Sequence, residues 1–481
     1  MIVRKGNIFM RKFTYSLIDD NSIKRKIYIL RALNNGEKLV ASKDLADQLQ
    51  CSARTIINDI SELKDELPEG WEIMGVKTKG YILIKPMTDS IFSMINKYMT
   101  ESVLYKIMIG IFNNKYYTLE KWSQTLYVNK STLGKHLKNY KKVLKKERLS
   151  LNSRSRELQL KGNELNIRQY YTTFFNFTQR FSNEPLLPDD LRNRFISILH
   201  QNEVQMDLHL LYSIVFVFIN RFYNKSYLTK KMKFKPIYND KQLSAFNEII
   251  LTIESYYGIQ FPKIENEALD IFLFLASTSV ISQGDLIINY LSKSHQKIYE
   301  SYLNLIDTFL TNNTLDSEQK EKLKVNLISY FYKLHILKEC HFSIGNVFDA
   351  VAPSDNVLLQ HYKENLTLIS KWNQKYNDGE LSRDEIEYIA NYATLILNSY
   401  SKNINILLLF SGTTIQQNIM YQKLAQKLGD KVKIHRIANK EEKYDFIICN
   451  YELTNTKAPV IYISGIENEI DAIKNRIFNL K

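Results

Sequence analysis

Cysteine, glycine and proline are all scarce. The three cysteines in 481 residues, Cys51, Cys340 and Cys449, are far apart and unpatterned. That excludes a disulfide framework and a zinc site built on cysteine spacing, and a reducing, cytoplasmic setting is expected. Fifteen Gly and eight Pro leave little material for loops and predict a mainly helical chain. Long hydrophobic runs are missing as well. The longest, residues 210–219, is too short to cross a bilayer, and the opening MIVRKGNIFMRKF has no apolar stretch of signal-peptide length. No membrane partner is expected. Also absent are G-x-x-x-x-G-K-[ST], H-E-x-x-H and a serine elbow. His335 and His341 are six residues apart, a poor spacing for a metal pair on one helix face. No catalytic residue, metal or cofactor is therefore expected.

Positive charge is abundant, and it is concentrated. Residues 1–165 hold 30 Lys and Arg against 17 Asp and Glu, whereas the remainder holds 35 against 34. Within residues 115–161 there are 13 basic side chains, opposed only by Glu120, Glu147 and Glu157. A one-sided basic patch of this kind attracts polyanions, nucleic acid first among them.

The same region carries a repeated pattern. Residues 43–84 read KDLADQLQCSARTIINDISELKDELPEGWEIMGVKTKGYILI. A helix over 43–50, a break at Cys51–Ser52, a longer amphipathic helix over 53–66 and two short β runs, 71–74 and 81–84, spell a winged helix-turn-helix. The hairpin turn is expected over 75–80, with Lys77 and Lys79 at its tip. A shift of 77 residues places Leu49 on Leu126, Ile56 on Leu133, Ile60 on Leu137 and Leu67 on Leu144. Ser52 falls on Asn129, both favourable helix caps. A second hairpin follows at 149–152 and 157–161, with Arg154 and Arg156 in its tip. The second helix of each unit belongs in a major groove. Arg54, Thr55 and Asn58 are the candidates in the first, since Arg pairs with guanine and Asn with adenine. Lys130, Ser131, Lys135 and Lys138 hold comparable places in the second, with Lys141 and Lys142 beyond. Lysines favour phosphate, so the first unit is expected to specify and the second to anchor. Any one of these residues could equally be a solvated surface position.

Residues 1–20 read as poorly ordered, with Asn21 or Ser22 capping a helix to Leu33, and 88–113 as one helix. The domains are expected at 1–87 and 88–163 for the winged units, 164–287 and 288–400 for two helical lobes, and 401–481 for a small α/β domain. In that last domain a strand over 403–410 is followed by a helix over 414–428, strands over 431–438, 444–451 and 459–464, and a helix over 467–478. The fold class is thus mainly α and multidomain.

This order resembles the Mga/AtxA family of virulence regulators of Gram-positive bacteria. KDLADQLQ…RTIINDISELKDELPEGW and the wing KTKGYILIKP look like that family's first DNA-binding unit. The resemblance implies that the lobes are PTS-regulation-like bundles and that the tail is similar to the B component (EIIB) of a PTS sugar transporter. It further implies a cytoplasmic, homodimeric regulator that binds double-stranded DNA and is tuned by the PTS phosphocarrier protein. His209, at the start of the apolar helix HLLYSIVFVFINRF, would be the phosphorylation target; a plain surface imidazole accounts for it equally well. Helical geometry puts His209, Ser213 and Asn220 on one stripe. Phe274 and Tyr392 occupy places where the family motif carries histidine. The tail loop 410–414, FSGTT, lacks the nucleophilic cysteine of a transporter domain, although its helix start could hold an anion. An RNA-binding antiterminator and a phosphotransferase-like enzyme are the rival readings.

Overall fold

Winged units open the chain, and each is built by the same local rules. The computed structural model describes residues 12–34, 39–76, 79–152, 157–179, 184–229, 236–277, 283–313, 315, 317–342, 356–399, 404–428, 432–439, 443–453, 456, 458–463 and 473. The first unit comprises α2 (Asn21–Asn34), α3 (Ser42–Leu49), α4 (Ala53–Glu66), β1 (Glu72–Val76) and β2 (Gly80–Ile84). The second comprises α5 (Ile91–Glu101), α6 (Val103–Phe112), α7 (Leu119–Thr125), α8 (Lys130–Lys146), β3 (Ser150–Asn152) and β4 (Gln159–Lys161).

Several expectations need correction here. Residues 1–20 contain a short helix, α1 (Lys12–Leu17), preceding α2. Phe13 and Leu17 are 2% and 0% exposed, and the Phe13 ring meets Tyr170, Phe174 and Phe177 at 5.6, 6.3 and 6.0 Å. An apolar pair four residues apart finds a core that the basic flanking residues disguised. Asp20, rather than Asn21 or Ser22, caps α2, since its Oδ1 accepts from the Ser22 N–H at 2.6 Å. The expected single helix over 88–113 is two, α5 and α6. Ser102 adopts extended backbone between them, and its hydroxyl accepts from Tyr105 N to restart the ladder. The first hairpin pairs Val76 with Gly80, so Gly75 lies inside the strand rather than in the turn. Each wing also gains a bridge from the segment before its helix-turn-helix, Val40 to Tyr81 and Thr118 to Glu157. Gly80 sits at φ +124°, and a Cβ there would meet the Val40 carbonyl oxygen at 2.3 Å, so this bridge requires a glycine.

The element that unites the region is α9 (Glu164–Thr178), buried at every position from Leu165 to Thr178. Its polar side chains, Arg168, Gln169 and Asn176 among them, are buried along with its apolar ones. Ile167, Tyr170, Tyr171, Phe174, Phe175 and Phe177 share one cluster with the buried faces of both winged units and with Val217. Helical hairpins and bundles follow: α10 (Asp189–Gln201), α11 (Leu208–Tyr223), α12 (Asp240–Tyr257), α13 (Lys263–Ala276), α14 (Gly284–Ser294), α15 (Gln296–Asn312), α16 (Ser317–Glu339), α17 (Asn356–Tyr376) and α18 (Arg383–Ser399). α11 packs on α9 and α13, α10 on α12, and α16 on α14 and α15. A buried ion pair, Arg168 of α9 with Glu265 of α13, is 0% exposed on both sides. Glu265 Oε1 also accepts from Leu228 N at 2.9 Å. Such a pair is tolerated only because each lone pair and proton finds a partner.

The chain divides into two compact units, Met1–Thr394 and Leu395–Lys481. The second holds β5 (Ile404–Leu409), α19 (Thr414–Leu428), β6 (Val432–His435), β7 (Phe446–Cys449) and β8 (Val460–Tyr462). Its sheet is parallel throughout, in the order β6-β5-β7-β8. β5 and β7 are nearly continuous apolar runs, as central parallel strands must be. The expected helix over 467–478 lies outside the described residues apart from Ile473. No helix among the described residues is long and apolar enough to cross a membrane.

Candidate nucleic-acid interface

The two helix-turn-helix units share their turn geometry. Gln50 and Tyr127, 77 residues apart, are both left-handed, at φ 53° and 54°. Cys51 N donates to Ala46 O at 3.1 Å, and Val128 N to Ser123 O at 3.0 Å, the matching helix-ending bond. Ser52 then caps α4 by accepting from Thr55 N, and Asn129 caps α8 by accepting from Ser131 N. The inward faces also correspond: Ile56, Ile60 and Leu63 in α4, and Leu133, Leu137 and Tyr140 in α8.

Different charges hold the two helices. Asp59 of α4, 3% exposed, takes two hydrogen bonds from Arg25 of α2, at 2.6 and 3.0 Å. Glu62 and Glu66 hold Lys26 at 2.8 and 2.7 Å. Burial works against the Glu66 carboxylate, but the bonds from Lys26 and Tyr98 outweigh it and lower its pKa. The C-terminal half of α4 is therefore acidic and tied inward. In α8 the position matching Asp59 is His136, whose Nδ1 is 3.5 Å from Asp19. Burial raises the pKa of Asp19 despite that neighbour.

The outward faces carry the candidate contacts. Arg54 and Asn58 are exposed on α4. Thr55 is half-buried, and its hydroxyl lies 2.9 Å from Ser52 Oγ, which makes it part of the cap. Lys79 is exposed at the first wing, while Lys77, Arg154 and Arg156 lie outside the described residues. On α8, Lys130, Ser131, Lys135, Lys138, Lys141 and Lys142 are all exposed, and Lys130 forms an ion pair with Glu120. The sequence reading missed Lys145 and Lys146, also exposed, in the last turn. The continuing three- and four-residue spacing was the available signal, and cations are favoured at that helix end. It also missed Ile57, 46% exposed between Arg54 and Asn58.

His209 is exposed in the first turn of α11, which Asp207 caps by accepting from Leu210 N at 3.1 Å. The expected polar stripe turns from exposed at His209 to buried at Ser213 and half-buried at Asn220. Ser213 is 0% exposed and bonds back to the His209 carbonyl at 2.8 Å, while Asn220 bonds back to Phe216 O at 2.8 Å. Side chains that return to the preceding turn can be buried with an apolar face. In the tail, the loop amides are engaged locally. Thr413 N donates to Gln416 Oε1 at 2.9 Å and Ser411 N to Asn450 Oδ1 at 2.7 Å, which occupies N–H groups an anion would need.

Paired helix-turn-helix units with solvent-facing second helices define the class: a DNA-binding transcription regulator. Residues 88–175 match the Mga helix-turn-helix domain and residues 25–82 a further helix-turn-helix domain. The chain is similar to the capsule synthesis positive regulator AcpB of Bacillus anthracis, 23% identical over 94% of this chain and 97% of that protein. It is 22% identical to the capsule synthesis positive regulator AcpA of the same organism, over 96% of this chain and 100% of that one. The anthrax toxin expression trans-acting positive regulator of B. anthracis is 21% identical over 73% of this chain and 70% of its own. Over residues 88–175 the chain thus resembles the Mga family of regulators.

Proposed function

We propose that this protein is a transcription activator that grips duplex DNA with both winged units, reading bases through α4 and holding phosphate through α8. The observation that carries this reading is the pair of matching turns presenting two chemically different faces. Arg54 and Asn58 can each make bidentate base contacts, whereas Lys135, Lys138, Lys141 and Lys142 form a phosphate-seeking surface. Lys77, Lys79, Arg154 and Arg156 of the wings would add phosphate contacts, and Lys130 and Ser131 the start of the second helix. The names of the relatives, positive regulators all three, favour activation.

The helical regions 164–287 and 288–400 are read as PTS-regulation-like domains and 401–481 as an EIIB-like domain. Four parallel strands around a central β5 suit the latter. In support of a non-catalytic tail, Ser411 stands in the loop after β5, and Cys449 is buried in β7, where burial pushes its thiol pKa up. The tail then serves assembly of a homodimer. His209, exposed on α11, is the candidate acceptor for a phosphoryl group from the PTS phosphocarrier protein. Phe274 is fully buried, and Tyr392 stacks on Tyr330 with ring centroids 3.6 Å apart, so a single dominant site is expected.

The test is competition between a duplex DNA pool and structured RNA for the full chain, followed by selection of bound duplexes from a randomised library. Enrichment of a duplex motif supports the reading. Preference for RNA would mean an antiterminator-like binder.

A further inference from the structure

Gly134 sits in the second turn of α8, inside the helix Lys130–Lys146. Glycine is the least favourable helix residue after proline, and among the described residues nothing in the packing requires it. A Cβ built at 134 would meet nothing within 4 Å, whereas one at Gly110 would strike Trp122 at 2.3 Å. Its backbone is ordinary helix, so no left-handed turn calls for glycine either. The surroundings are informative. On a helical net, residues 130, 134, 138, 141 and 145 form one ridge. Every other member is an exposed lysine: Lys130, Lys138, Lys141 and Lys145. In α4 the position matching 134 holds Ile57, 46% exposed.

We propose that Gly134 is where the sugar-phosphate backbone of duplex DNA comes closest to α8. The lysines on either side would hold the phosphates, and the missing side chain would let the strand lie against the helix backbone. Position 57/134 thereby separates the two units, one presenting a side chain to the groove and the other a gap to the backbone. The inference rests on the DNA-binding reading above.

The experiment uses the full chain with Gly134→Ala and Gly134→Ile, titrated against a labelled random-sequence duplex over a range of salt, alongside thermal unfolding. Gly134→Ala should leave the unfolding midpoint equal or higher while weakening duplex binding. Gly134→Ile should weaken it further, by about eightfold at 0.1 M salt for each phosphate that α8 no longer reaches, with the salt slope falling by about 0.9 per phosphate. Wild-type affinity and slope in both variants would overturn the proposal. So would a lower midpoint for Gly134→Ala, which would assign the glycine to folding. Failure of the wild type itself to bind duplex at low salt would refute the DNA reading instead.

Discussion

Removing the charge of Lys135, Lys138, Lys141 and Lys142 together tests the division of labour between the two helices most directly. All four are exposed, and among the described residues no carboxylate pairs with them. Their charge is therefore available to phosphate without breaking an internal bond. Lys135, Lys138 and Lys142 lie on one stripe, and Lys135 to Lys142 spans about 10 Å of helix axis at 1.5 Å per residue. Lys141 stands beside the stripe. Replacing all four with Gln should thus remove three or four phosphate contacts, and the slope of log K against log salt should become shallower by about 2.7–3.6. Between 50 and 200 mM salt the wild type should then lose about 40- to 150-fold more affinity than the variant does. Arg54→Ala provides the contrast. At a selected site it should lose about 1–3 kcal/mol with the slope nearly unchanged, because a base contact releases no counterion. The assay is fluorescence anisotropy at five salt concentrations, with circular dichroism to verify folding. An unchanged slope in the quadruple variant would remove α8 from the DNA and refute the reasoning.

Phe13→Ala should destabilise the first unit by about 3–5 kcal/mol, because it empties a site among the α9 aromatics; denaturant titration measures it, and a loss under 1 kcal/mol would mean that α1 is only loosely docked. Lys333 of α16 donates to the Leu275 and Ser277 carbonyls, and burial lowers its ammonium pKa from 10.5 to about 7. The folded pKa lies below the unfolded one, so unfolding takes up a proton between those values and stability rises with pH across the window. From pH 7 to 9 this group should contribute at most about 1.4 kcal/mol per pH unit. Lys333→Met should flatten the pH dependence, and parallel curves for the two proteins would place the lysine in contact with water. Deleting residues 401–481 should leave a folded but largely monomeric chain by light scattering; a dimer at micromolar concentration would move the interface into the helical lobes. His209→Asp should shift reporter output in one direction and His209→Ala should make it indifferent to the phosphocarrier protein, whereas equal output from all three forms would leave His209 without a regulatory role.

The winged units were legible because their signals are local. The break at Ser52 and Asn129, the period of Ile56, Ile60 and Leu63, and the Pro68-Glu69-Gly70 stop all act within a few residues. The helix Thr414–Leu428 was legible for the same reason. What escaped was decided at long range. Phe13 looked like part of a basic leader because its partners lie more than 150 residues away in α9. The break at Ser102 was hidden because a single serine within an apolar stretch is compatible with continuous helix until its side chain caps the next one. Ser213 and Asn220 read as a polar stripe, since a pattern of residue types cannot show that both side chains turn back onto their own helix. Among the site residues, exposure separated Arg54 and Asn58 from Thr55, which the cap claims. Type and spacing alone treat the three alike.

Placing α9 at the centre of the first unit gives the chain its mechanical logic. Tyr170 of α9 meets Tyr140 of α8 through their hydroxyls at 2.6 Å, and Tyr171 donates to the Met108 carbonyl of α6 at 3.1 Å. At its other end Glu164 takes two bonds from Arg221 of α11, at 2.8 and 2.7 Å. Arg168 reaches Glu265 of α13. α9, buried from Leu165 to Thr178, therefore bonds to α8 and to α11, the helix that carries His209. Close-packed interiors do not deform continuously, so a change in how α11 seats on α9 must be taken up by the aromatic cluster that also seats α8. α4 is tied by Arg25 and Lys26 of α2, and its buried residues Ile56, Ile60 and Leu63 belong to the same cluster. A change in how α11 seats on α9 would therefore reach both winged units through one core.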